Sequence, residues 1–232
     1  MDRGKIIIIE GTSCVGKTTL CTALKQDGWV VIPEAIRYLE HETQKIGDDA
    51  SPIPNEQLEE EYYQSQLFRI ELQKIREANY YSNLGYNVVI DKSAIATIAT
   101  AKAFEESKGF HGTFFSACSK YNTMLKQIEE DNIIECDGFI LLTTNYNEIR
   151  QRNITRKHVL DGIWLAETTI NSQRNVLEIF TNNIIGKFSK NEIVTKVLDT
   201  TFLSQNEVLN SFISFANSIE INQKRKVRKI ND

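Results

Sequence analysis

Residues 6 to 20 read "IIIIEGTSCVGKTTL", four isoleucines and a glutamate leading into a loop with two glycines, which is followed by a lysine and two threonines. An apolar run this short, without alternation, fits a strand covered on both faces, the position of an interior strand in a parallel sheet. The loop carries Gly11, Gly16, Lys17 and Thr18 at the spacing G-x-x-x-x-G-K-[ST]. In that pattern the backbone N–H groups of Gly11, Thr12, Ser13, Cys14, Val15, Gly16 and on to Thr19 can wrap a polyphosphate. Lys17 reaches its terminal phosphates, and the next helix points its positive end at the anion. Thr18 can ligate Mg²⁺. Lys17 is expected to face solvent when no ligand is bound. An ordinary glycine-containing strand–helix turn would not require the lysine and the threonine.

Beyond the loop, strand patterns alternate with helix patterns. Strands are expected at 5–9, "WVVI" 29–32, "NVVID" 87–91, "GFILLTT" 138–144 and 192–200. Helices are expected at 17–27, from Pro33, over 56–83, from Ser93, over 113–132, from Asn145 into a basic loop, over 163–184, and after the Ser204/Glu207 capping box. The segment 47–56 holds two of the three prolines and reads as a mobile loop. This alternation specifies an α/β fold: a five-stranded parallel sheet with helices on both faces. One domain is expected over 1–220, with a basic tail, "QKRKVRK", inside 221–232. That tail is either a solvated terminus or an anion-binding or nuclear-import patch.

The net charge of −4 and pI near 5.6 give no global field that would attract nucleic acid or an anionic membrane. Ile6 to Ile9 is far too short to span a bilayer, and the N-terminus carries no signal-peptide pattern. Cys14, Cys21, Cys118 and Cys136 form no C-x-x-C pair, so they read as reduced thiols in a cytoplasmic setting.

Ligands in open α/β sheets bind at the carboxyl ends of strands, which singles out four groups. Glu10 ends the first strand. Glu34 and Arg37 follow the second, three apart and on one helix face, either handling an acceptor or forming a surface ion pair. Asp91, Lys92 and Ser93 follow the third. Asp91 stands where a carboxylate supports Mg²⁺, a role compatible with capping the next helix. Arg150, Arg152 and Arg156 follow the fourth, as a solvated face or as a lid stabilising transferring phosphate.

Together, "IEGTSCVGKTTL", "VVIPEAIRYLEHE", "VVIDKS" and "RQRNITRK" resemble the thymidylate kinase and deoxynucleoside kinase superfamily of P-loop enzymes. The likeness is strongest to the ATPase-like branch that includes nicotinamide riboside kinases, where "PE-x-x-R" follows strand two. It spans residues 5 to 210 in order, and "LDTT" before the last helix resembles the family's adenine-side turn. The resemblance implies a P-loop NTPase fold and transfer of the γ-phosphoryl group of ATP, with Mg²⁺, to a nucleoside or nucleoside monophosphate. Monomer and homodimer are both open. By the same resemblance Gly11, Gly16, Lys17 and Thr18 bind ATP·Mg, and Thr18 and Asp91 serve the metal. Glu34 is base or acceptor contact, and Arg37 holds the acceptor. Arg150, Arg152 and Arg156 form a lid over about 150–162, and Gln64, Gln66, Phe68 and Arg69 lie on a nucleobase-holding helix. The third motif departs from the family's Asp-Arg or Glu-Arg: this chain has Asp91-Lys92, and lysine lacks arginine's planar fork. A different class, a P-loop ATPase switch or partner-binding protein without a small acceptor, would use the same loop.

Overall fold

Strand β1 (Ile6–Glu10) is buried along its whole length, which explains its unbroken isoleucines. Ile6 and Ile8 enter one apolar core, and Ile7 and Ile9 enter a second on the opposite face. Residues 2–43, 53–156, 159–160, 162–185 and 193–221 are described in the computed structural model. Around β1 they form α1 (Lys17–Gln26), β2 (Val30–Ile32), α2 (Ala35–Thr43), α3 (Gln57–Asn83), β3 (Val88–Asp91), α4 (Ala94–Lys108) and α5 (Thr113–Glu130). Then follow β4 (Gly138–Thr143), α6 (Tyr146–Ile154), α7 (Glu167–Ile179), β5 (Val194–Asp199) and α8 (Gln205–Ser218). The helix expected over 163–184 is divided into a 3₁₀ turn at Gly162–Trp164, α7, and a π-helical turn at Phe180–Ile184. The expected loop at 47–52, positions 157, 158 and 161 of the expected lid, and the basic tail from 222 lie outside the described residues.

All strand pairs are parallel, in the order β2-β3-β1-β4-β5. The chain leaves β1 toward the β2 edge and leaves β3 toward β4, so the two central carboxyl ends lie side by side while their loops diverge. Leu20 and Leu24 of α1 and Phe212 and Phe215 of α8 cover one face with Ile7 and Ile9. Helices α3, α4, α5 and α7 cover the other through residues such as Ile75, Ile98, Ala117 and Val176. The register sets Ile9 opposite Asp91, so the phosphate-type loop after Glu10 emerges beside the turn after Asp91. The expected capping box is present: Ser204 accepts from Glu207 N–H, and Glu207 accepts from Ser204 N–H. Among the described residues no helix is long and apolar enough to cross a membrane.

Candidate active site

The loop between β1 and α1 is shaped by positions that only special backbone geometry allows. Gly11 has φ +146°, and a Cβ there would sit 2.4 Å from the Leu142 carbonyl oxygen. Cys14 adopts φ +62°, and Gly16 φ +103° directly before the first helical residue. Val15 is buried and anchors the loop from within, while its carbonyl accepts from Thr200 Oγ1 at 3.0 Å. The loop opens on a cleft of about 1100 Å³ that Ser13, Cys14, Gly16, Lys17, Thr18 and Thr19 line.

Lys17 departs from expectation. It is buried, not solvent-facing, because its ammonium donates to the carbonyls of Gly11 and Thr12, each at 2.7 Å. Burial and the nearby charge of Lys92 hold its pKa below the ordinary lysine value. The cation is therefore stored on the loop that it would leave to meet a phosphate.

Four charged groups converge where β1, β3 and the β2–α2 junction end. Glu10, fully buried, accepts from Gly11 N–H at 2.9 Å and from Ser93 N–H and Oγ at 2.9 and 3.0 Å. It thereby ties the loop to the turn after β3. Burial pushes its carboxyl upward against the pull of Lys17 and these donors. Glu34 pairs with Lys92. Burial alone would raise the Glu34 carboxyl, but the charge and hydrogen bond of Lys92, aided by Lys17, leave it below the usual range. Lys92 is lowered by burial and raised further by Glu34, ending above its ordinary value. Glu34 thus finds its ionic partner in a residue 58 positions away along the chain. Arg37 lines the phosphate cleft together with Glu34, Asp91 and Lys92.

Asp91 Oδ1 is buried without a hydrogen-bond partner, and burial raises its pKa. An orphaned carboxylate oxygen facing the cleft that Thr18 also lines fits a divalent cation whose remaining ligands are phosphate oxygens and water. Among the described residues no group of three or more His, Cys, Asp or Glu side chains could hold a metal.

The three arginines after β4 separate. Arg152 donates to Thr200 O at 2.7 Å, to Thr200 Oγ1 at 3.1 Å and to Cys14 O at 3.4 Å, and pairs with Glu148 at 2.8 Å. Arg156 approaches Cys14 Sγ at 3.5 Å. Both line the cleft. Arg150 is exposed and does not, because it lies about 200° around α6 from Arg152. Asn153 and Leu160 exchange two 2.9 Å bonds, the Asn153 amide donating to Leu160 O and accepting from Leu160 N–H.

A second cavity adjoins the cleft on the α3 side, and the expected base-holding residues are misplaced by helix phase. The stripe that faces it is Glu60, Tyr63, Leu67 and Glu71, at steps of three and four. Phe68, one position off that stripe, is buried in the core. Gln64 is buried too, donating to Glu60 and Thr113 O and accepting from Lys120. Arg69 is exposed and donates to Gln66. None of Gln64, Gln66, Phe68 and Arg69 lines the cavity. Burial pushes Glu60 up to about 7, against the opposing pull of Gln64 and Lys120. Trp164 and Phe104 close the far wall as an edge-to-face pair with centroids 5.6 Å apart. Trp164 and Gln173 were invisible beforehand, since no spacing marks them. The α3 stripe did carry a signal, a run of polar and apolar residues at helical steps.

The family model described as "AAA domain" matches residues 6–169. The chain belongs to this family. No curated protein sequence matches it. Among solved structures, thymidylate kinase from Candida albicans aligns over 93% of this chain and 92% of its own, with TM-score 0.64 and 17% identity. Deoxyadenosine kinase from M. mycoides with bound dATP aligns over 92% of this chain and 100% of its own, with TM-score 0.52 and 14% identity. This AAA-domain protein therefore has the P-loop kinase fold, with the phosphate loop and the five-stranded parallel sheet that the sequence implied.

Proposed function

We propose that this protein is an ATP-dependent kinase that transfers the γ-phosphoryl group to a nucleoside hydroxyl. One observation carries the reading: the phosphate cleft and the α3-side cavity share Ser13, Glu34, Lys92 and Leu160 as common walls. An ATPase switch needs the cleft alone, whereas a phosphotransferase needs a second compartment that opens where the terminal phosphate lies. The names of the structural relatives, a thymidylate kinase and a deoxyadenosine kinase, support an acceptor of nucleoside type.

In this reading the loop amides and Lys17 hold the triphosphate, and Thr18 and Asp91 would hold Mg²⁺, which when bound neutralises phosphate charge. Glu34 stays ionised at neutral pH, so it can accept the proton of the attacking hydroxyl. The hydroxyl oxygen bonds to the γ-phosphorus, the bond to the β–γ bridging oxygen breaks, and ADP departs. Lys17, Arg152 and Arg156 stabilise the charge that develops on the transferring group.

The cavity itself favours an acceptor without a phosphate. Glu10, Glu34, Glu60 and Glu71 line it, while Lys92 is the sole cationic side chain among its described lining residues and is engaged with Glu34. A monophosphate would bring further negative charge into that wall. Arg37, at the junction, is the residue that would hold a monophosphate instead. ADP release measured against a panel of nucleosides and their monophosphates tests the proposal. Stimulation by nucleosides supports it, stimulation by monophosphates alone transfers the acceptor role to Arg37, and a rate indifferent to both leaves an ATPase.

A further inference from the structure

We infer that Lys74 is a positioning residue for the transfer centre, holding the Asp91–Lys92 turn in place from α3. The inference rests on the kinase reading above.

Lys74 is 0% exposed, midway along α3, and lines neither the cleft nor the cavity. Burying an ammonium is costly unless it is paired and fully hydrogen-bonded, and an apolar side chain of similar length would avoid that cost. Its three donors are all used. One goes to Glu71 Oε1 at 3.0 Å on its own helix, and two cross to the end of β3, to Asp91 O and Lys92 O at 3.1 Å each.

Those two carbonyls bracket an unusual backbone. Lys92 has φ +56°, a left-handed conformation that is unfavourable for a non-glycine residue. Its amide still continues the ladder, donating to Ile9 O at 2.9 Å, and the next residue, Ser93, is fastened to Glu10. With both carbonyls drawn toward α3, the Asp91 side chain lines the phosphate cleft and Lys92 reaches Glu34. Lys74 therefore fixes the direction of the two side chains nearest the reacting groups, without touching a substrate. Its simpler alternative is that it merely neutralises the buried Glu71.

Two variants separate these roles. Lys74→Met leaves the Glu71 carboxylate buried and unpaired, so it is expected to lower both Tm and kcat. Lys74→Met combined with Glu71→Gln removes the stranded charge and is expected to recover most of the Tm. Positioning errors near 1 Å can cost ~10²-fold, so this double variant should turn over about 10- to 100-fold more slowly than Glu71→Gln alone, at similar ATP affinity. If the double variant recovers both Tm and kcat, Lys74 serves only Glu71 and the inference is overturned. A crystal structure of the double variant decides the matter even if the wild type transfers phosphate to no acceptor. Lys92 leaving the left-handed region supports the inference, and an unmoved Asp91–Lys92 turn refutes it.

Discussion

Glu60→Gln should make the protein more stable, and increasingly so as the pH rises. Glu60 is 4% exposed, on the cavity-facing stripe of α3, and accepts from the Gln64 amide at 3.1 Å. Lys120 donates to Gln64 and Ser116, so its charge reaches Glu60 only through space. Burial pushes the carboxyl up to about 7 from an ordinary 4.5. Between those pH values the unfolded chain gives up this proton while the folded protein keeps it. Stability from this group therefore falls as pH rises through that window, and the loss is complete above it. At about 1.4 kcal/mol for each pH unit, the full penalty is about 3 kcal/mol. The assay is urea unfolding of wild type and variant at pH 5, 6, 7 and 8. Subtracting the two curves cancels the other buried carboxyls, and the difference should grow by about 2.5 kcal/mol from pH 5 to pH 8. A difference that stays flat would refute the claim that Glu60 is an uncompensated buried acid. Above pH 7, where the folded carboxyl ionises, the same variant also removes a negative charge from the cavity wall, so any turnover of monophosphates should improve there.

Gly11→Ala forces a Cβ against the Leu142 carbonyl and should cost about 1–3 kcal/mol of stability along with ATP affinity; an unchanged urea midpoint would contradict the loop geometry. Arg152→Gln should lower kcat at least ~10-fold through lost charge stabilisation, while Arg150→Gln, on the exposed side of α6, should leave the rate near wild type. Equal effects in steady-state assays would overturn that distinction. Cys14 lines the phosphate cleft, so alkylation should block ATP binding and ATP·Mg should slow the labelling; identical labelling rates with and without nucleotide would argue against it.

The central sheet was legible because its signals are local. Four consecutive isoleucines and a loop with fixed glycine spacing specify a doubly covered strand and an anion cradle without reference to the rest of the chain. Ser204 and Glu207 likewise specify a helix start within four residues. The cavity wall was legible only to within one residue. A polar helix such as α3 has a weak amphipathic pattern, and shifting the assumed face by 100° exchanges Leu67 for Phe68. Lys17 was placed in solvent because its motif names the partner it meets with ligand, not the carbonyls of Gly11 and Thr12 that hold it otherwise. The pairing of Glu34 with Lys92 was hidden because it joins two strand ends that only the sheet order brings together.

Helix α3 runs for 27 residues and carries two tasks on one rod. Its early turns present Glu60, Tyr63 and Leu67 to the cavity, and Lys74, about 21 Å along the axis from Glu60, grips the turn after β3. On the kinase reading proposed above, selection of the acceptor and alignment of the chemistry sit on separate segments of the same helix, with Glu71 as the one side chain belonging to both. Substitutions in the first half can retune which molecule is admitted while the machinery behind it stays aligned. For an engineer seeking a new acceptor, positions 60, 63 and 67 are the dials, and position 71 is where turning one begins to disturb the other.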